Sequence, residues 1–390
     1  MDIVKTSAKK KIRVLFCTLM ALFPASLSHA RSLDFLIDNQ VYLKNLEYNN
    51  VTTRVTGETF AGDVLKPRFR FNIQDNLNME FGTIVKLNFA DDSKDSKGFP
   101  LIALNYDFAP GSRFTAGTLD RAHPLLDAFF DDVLEFVDPH EQGLQFRTKR
   151  RNFNFDLWLD WEQKETEVFA EKLNIGNYTQ WQSGGAMLDF QALWSHAGGQ
   201  KNSAGGIVNN LTMALGTGYT FTPETLRRPD RGLQKVGFSV HVLGAFDKPN
   251  PGSNFTDNRD SSGLLGQIFT TVDGTDLHAL VWSGFDHLGI HSRKGDPLYS
   301  SEHFVEVGIG KTWALAKNVS LEANISFVRL RDELNHIDRI AVKWSGDFPL
   351  FPEYFERLTR ADEEKNRKAN MKKRPKKKSK TRSPAKRSRR

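Results

Sequence analysis

The 390-residue chain has one cysteine, Cys17, and it lies inside the apolar run Val14 to Phe23. Lys5, Lys9, Lys10, Lys11 and Arg13 precede that run, and Ser28-His29-Ala30 supplies small residues where a signal peptidase cuts. Residues 1–30 therefore read as a secretory signal peptide. The mature chain then has no thiol, so ordinary packing or a closed hydrogen-bonded sheet must hold it instead of disulfides. Beyond the signal no apolar run approaches the ~20 residues a spanning helix needs. If the mature chain crosses a membrane, it crosses as strands. Phosphate-loop and dinucleotide fingerprints are also missing, which excludes the usual nucleotide sites. Neither a cofactor nor a metal is indicated: His287, His291 and His303 fall in connections, where imidazoles are ordinarily solvated.

Acidity is scarce at the two ends. The net charge is +7, of which residues 1–30 contribute +4 and Lys365 to Arg390 contribute +15, leaving −12 between them. The basic character belongs to the ends and the body is acidic. The segment 352–390 reads as a basic tail without order, since its last part has almost nothing apolar to pack. Behind a signal peptide such a tail does not point to nucleic acid. In the periplasm its partners would be anionic lipid or a wall polymer, through salt-sensitive contacts.

What the body has in abundance is alternation. From Val64 to Phe89, apolar residues occupy every second position, with Phe69, Phe71 and Ile73 before the turn at Asp75-Asn76 and Leu77, Met79, Phe81, Val85, Leu87 and Phe89 after it. A period of two is a strand with one apolar face. Sixteen segments of this kind run from Phe35 to Phe348. Tight connections (Asp75-Asn76, Ala109-Pro110-Gly111, Arg151, Gln182-Ser183-Gly184, Val272 to Thr275, Ala316-Lys317) alternate with longer ones (Asp91 to Gly98, Asp120 to Glu141, Ala197 to Gly206, Asp247 to Ser262, His291 to Ser300, Asp332 to Ile337). Short turns at one end and long loops at the other mark a membrane barrel, and they put both chain ends on the short-turn side. Trp161, Tyr178, Trp181, Trp194, Tyr219, Trp282, Trp313 and Trp344 fall towards strand ends, where interfacial girdles sit.

This organisation resembles the porin class of Gram-negative outer-membrane channels. The resemblance implies an all-β fold, a transmembrane antiparallel up-and-down β-barrel of about 16 strands (roughly 14–18), spanning residues 31–351 in contact with outer-membrane lipid. It also admits a homotrimer. In general porins the loop between strands five and six folds into the lumen and sets acids against a basic wall. The corresponding connection here carries Asp120, Asp127, Asp131, Asp132, Glu135, Asp138 and Glu141, without the Pro-Glu-Phe-Gly-Gly motif of those porins. Within it, Leu125 to Val137 has the spacing of a short amphipathic helix.

With the apolar parity facing lipid, the lumen receives Arg68, Arg70, Glu80, Lys86, Gln145, Arg147, Lys149, Asp156, Trp158, Asp160 and Glu162, and from later strands Asp189, Gln191, Lys235, Ser239, His241, Glu306, Glu322, Asn324, Arg339 and Lys343. Such a lining suits a passage for hydrophilic solutes, with a saccharide or an exported polysaccharide stacking on Trp158. Without a nucleophile and base in register the chain reads as a channel and not as an enzyme. His291-Ser292 are neighbours on the chain and point apart, and Asp156 and Asp160 stand about 13 Å apart along one strand, too far for glycoside cleavage. Two alternatives remain: an outer-membrane lipid acyl hydrolase, which His291→Ala would silence, and a soluble exported β-protein that binds a surface polymer.

Overall fold

The computed structural model describes residues 31–48, 57–89, 96–199, 207–222, 232–248, 260–285 and 289–373. The expected signal peptide, residues 1–30, and His287 lie outside them. Sixteen strands form the body: β1 (Ser32–Glu47), β2 (Glu58–Gln74), β3 (Leu77–Asn88), β4 (Lys97–Ala109), β5 (Ser112–Thr118), β6 (Gln142–Arg150), β7 (Phe153–Gln163), β8 (Glu171–Ser183), β9 (Ala186–Gly198), β10 (Val208–Phe221), β11 (Leu233–Lys248), β12 (Ser261–Val272), β13 (Thr275–Gly284), β14 (His303–Ala316), β15 (Val319–Leu330) and β16 (Glu333–Leu350). Each pairs with its neighbours in sequence, and β1 meets β16, which closes the barrel. Closure leaves no strand edge unpaired, and this is what lets a sheet stand in hydrocarbon.

The period of two is visible in exposure. On β4, Leu101 and Ala103 are buried while Ile102, Leu104 and Tyr106 are exposed on the outer face. The outer band continues through Leu144, Leu157, Leu188, Leu215, Ile268 and Val307. At the β12–β13 turn, Asp273 and Gly274 take φ of 50° and 68°, the mirror-image turn that matches strand twist. The link expected to be long at Asp332 to Ile337 is instead tight: Arg331 adopts φ of 56° and β16 begins at Glu333. Trp282 and Tyr178 are buried and take no part in a girdle, whereas Trp161, Trp181, Trp313 and Trp344 are exposed.

The wall from Asp34 to Phe348 is one compact unit, and the described residues from Pro349 onward belong to another. In the latter, Pro352–Lys373 is a helix, α2, where the sequence leads one to expect no order. Ion pairs Glu353–Arg357, Glu356–Arg360 and Glu364–Lys368 at i, i+4 spacing support it. Residues 374–390 of the expected tail lie outside the described residues.

Among the described residues, two connections enter the lumen. The first is β5–β6, residues 119–141. The second is the described part of β13–β14, residues 289–302, which the sequence marks only as a polar link. Phe129 of the first and Leu298 and Tyr299 of the second are buried with inward-facing Leu243, Leu265, Trp282, Phe304 and Val328 of the wall, while Phe136 is buried against Tyr42, Val64, Ile84, Leu101 and Ala341. On β11 to β15 both faces are thus apolar over part of their length. One face meets lipid and the other meets the barrel's own loops.

Candidate functional site in the barrel lumen

The expected helix over Leu125 to Val137 shortens to α1, Leu134–Val137, preceded by a turn in which Phe129 and Phe130 N–H both donate to Leu126 O. The cause lies in the second loop. Asp131 N–H donates to Lys294 O, and Asp127 O accepts from Asp296 N–H, each at 2.7–2.8 Å. These two bonds replace the one that would have continued the helix from Asp131 to Asp127. The Ser292 hydroxyl completes the junction by donating to Phe129 O at 2.9 Å.

Side chains anchor the first loop to opposite walls. Tyr42 of β1 stacks on Phe136 with centroids 4.2 Å apart. Arg339 of β16 donates to Asp132 and Glu135 at 3.1 and 3.0 Å, and Lys44 of β1 is paired with Asp132. Lys86 of β3 caps the end of α1 through Val137 O, and Gln191 of β9 accepts from Leu126 N–H at 2.8 Å. Among the described residues, Asp132 and Glu135 thus meet cations of β1 and β16, Asp138 and Glu141 meet Arg121 of their own loop, and Asp120 meets the expected basic wall at Arg147, 2.6 Å away. Arg68 and Arg70 are instead held within the wall by Glu80, with Asp38 also on Arg68. Glu162 pairs with Lys294 of the second loop.

The innermost polar cluster centres on His123. Its Nδ1 lies 3.0 Å from Asp156 and its Nε2 2.8 Å from Glu141, and the ring stacks on Trp158 at 3.6 Å between centroids. Arg121 adds a contact to Glu141 at 3.1 Å, and Arg147 one to Asp156 at 2.9 Å. Burial disfavours charge on the imidazole, but the hydrogen bonds to the two carboxylates outweigh it and raise the His123 pKa above the ordinary value. Burial likewise works against the Glu141 carboxylate, and its His123 partner prevails and lowers it. Trp158 is 1% exposed, so the face expected to stack a saccharide is covered by His123. Asp160, also buried, accepts from Gln142 N–H at 3.0 Å. Replacing His123 by Leu should cost about 3–5 kcal/mol, because it leaves two buried carboxylates short of a cation. A fall in the urea concentration needed to convert the heat-modifiable folded band to the unfolded one would measure this.

Among the described residues, cavities remain in the lumen. One, about 890 Å³, is lined by Lys66, Arg68, Arg70, Arg113, Arg147 and Lys149 with Asp38, Glu80, Asp107 and Asp120, and it reaches the tight turn at Pro110-Gly111. A second, about 440 Å³, lies beside Glu135 against β1, β2 and β14 to β16. A third, about 220 Å³, lies under Leu125 and Leu126 against β8 to β12. A pair that residue types alone did not reveal stands there: His241 Nε2 is 3.1 Å from Asp189 Oδ2. Asp189, Gly216 and His241 occupy one row across β9, β10 and β11. A Cβ on Gly216 would come within 2.1 Å of the imidazole, so only glycine lets the two side chains meet over the middle strand. The signal was a glycine between inward-facing Asp and His, and only register makes it legible. His291, the histidine singled out from sequence, sits 3.6 Å from Asp247 on the wall.

A closed barrel of sixteen strands with its lumen filled by its own loops defines an outer-membrane β-barrel of porin-like architecture. A model of the lipid A 3'-O-deacylase-type family matches residues 25–350, and the chain belongs to that family. This overturns the expectation that the chain is not an enzyme, since the family is an enzyme family. Similar solved barrels include Acinetobacter baumannii OccAB2 (TM-score 0.50, 9% identity, 82% of this chain and 99% of that one). Others are Pseudomonas aeruginosa OprD (TM-score 0.45, 12% identity, 82% and 94%) and the anion-selective porin of Comamonas acidovorans (TM-score 0.47, 11% identity, 81% and 99%). At such identities the likeness is one of fold. No curated relative matches the sequence.

Proposed function

We propose that the protein is an outer-membrane acyl-ester hydrolase acting on lipid A or a related glycolipid from inside a barrel that its own loops close. The apolar side chains that the two loops bury against the lumen wall, Phe129, Leu298 and Tyr299 in one cluster and Phe136 in another, carry this reading. Diffusion calls for a continuous water-filled path, whereas catalysis calls for enclosed space with fixed polar groups. Family membership supports the same choice. Incubating the detergent-purified chain with lipid A should release fatty acid and lower the glycolipid mass by one acyl group. Unaltered lipid A after prolonged incubation at several pH values would remove the proposal.

A second reading, passage of hydrophilic solutes such as saccharides, is favoured by the 890 Å³ vestibule with charges of both signs on its wall. Planar-bilayer recordings separate the two. A plugged hydrolase is expected to show brief, small or no openings, and a solute channel a steady current.

A further inference from the structure

We propose that His241, oriented by Asp189, is the general base of ester cleavage and that the 220 Å³ cavity beside it takes the acyl chain. The inference rests on the hydrolase reading above and adds the residues and substrate portion that reading lacks. Both groups are buried, Asp189 at 3% and His241 at 5% exposure. Asp189 is fixed from its other side by Gln191, which donates to Oδ1 at 2.9 Å. With Nε2 directed at the carboxylate, the proton belongs on Nε2 and the Nδ1 lone pair is left free. His241 Nδ1 is buried and has no hydrogen-bond partner among the described residues. His123 is the informative contrast: both its nitrogens are occupied by carboxylates, so it has no lone pair to offer. A base needs one nitrogen held and the other without a competing partner, and His241 meets that condition among the described residues.

The lining decides what enters. Tyr178, Met187, Phe269, Leu125 and Leu126 supply an apolar surface, with side-chain amides and the Ser239 hydroxyl between them, and no Lys or Arg among the lining residues. A phosphorylated headgroup would find no counter-charge there, whereas a neutral acyl ester would. The volume exceeds the ~150 Å³ of a cavity that holds benzene, which suits a short or medium acyl chain. In the step itself, His241 Nδ1 takes a proton from water as its oxygen adds to the ester carbonyl carbon. The tetrahedral intermediate then breaks its C–O bond to the alcohol, which receives that proton. The products are a carboxylic acid and an alcohol, with no change of oxidation state.

The test uses the full chain in detergent with p-nitrophenyl butyrate and octanoate, alongside lipid A. Wild type should cleave, and His241→Gln should lower kcat on the order of 10²–10⁴-fold while keeping its heat-modifiable mobility. Gly216→Ala, which leaves both side chains in place but blocks their approach, should lose cleavage as well. Asp189→Asn, which keeps the shape but loses the charge that holds the imidazole tautomer, should lower kcat with KM little changed, a split that a purely structural role would not produce. A wild type that cleaves beside His241→Gln and Gly216→Ala variants cleaving equally well overturns the assignment and spares the hydrolase reading. A wild type that cleaves neither ester nor lipid A overturns both. Ser239→Ala retaining activity supports direct attack by water, and its loss together with a trapped acyl-enzyme overturns the water step.

Discussion

Deleting Leu125 to Val137 is expected to open the barrel and raise single-channel conductance many-fold over wild type. The deletion removes Phe129, Phe130 and Phe136 from the lumen and with them the partners of Tyr42, Lys44, Lys86 and Arg339. It also strips the second loop of the Asp131 and Asp127 backbone bonds that hold Lys294 and Asp296. Sixteen-stranded walls enclose an aqueous channel once nothing fills them. The wall should survive, because its ladder bonds run between strands and owe nothing to the loop. Conductance indistinguishable from wild type in a correctly folded deletion variant would show that the loop does not bar the lumen.

Raising pH from 5 to 8 is expected to loosen the junction between the two lumen loops. Asp131 and Asp296, both half-buried, sit close to each other and to Asp132, with Lys44 and Arg339 as the cations at hand. Burial first, and the Asp296 charge next, push Asp131 up to about 7. Burial pushes Asp296 up to about 6. Such acids bind their protons more tightly in the docked state, so docking is favoured below the unfolded value of about 4 and weakens as pH climbs through 6 and 7. Asp132 has the opposite sign: burial works against its charge, but Lys44 prevails and lowers it, so its contribution persists at neutral pH. Amide exchange in residues 125–137, corrected for the intrinsic rate, should be on the order of tenfold faster at pH 8 than at pH 5, about 1.4 kcal/mol of opening energy. Asp131→Asn should flatten that dependence. Equal corrected rates at the two pH values would refute the coupling.

Much of this molecule was legible from one chain because a barrel writes itself locally. The alternation at Phe69, Phe71 and Ile73, the turns at Asp75-Asn76 and Asp273-Gly274, and the long β5–β6 connection each follow from neighbours in sequence. The inward side of Arg68, Arg70, Glu80, Arg147, Asp156 and Trp158 follows from parity. Their partners do not. Arg68 and Arg70 turn to Glu80, and Trp158 turns to His123, because the nearest opposite charge or ring is set by where distant strands and loops bring their side chains. The helix expected over Leu125 to Val137 gave way for the same reason, since Lys294 and Asp296 outbid it for the Asp131 N–H and the Asp127 carbonyl. A trace of the plug was present in the apolar residues on both faces of Leu280 to Trp282 and Val242 to Phe246, which a lipid-facing strand alone does not require.

The amino-acid order by itself settled that this is an all-β chain of sixteen membrane-suited strands with short turns at one end and a loop rich in acids, because period and turn chemistry act over a few residues. Only the tertiary structure decided that two loops fill the lumen, that His123 is locked between carboxylates, and that Asp189 meets His241 above Gly216. Those contacts join residues tens of positions apart, and register across the sheet, invisible along the chain, chooses which of them face each other.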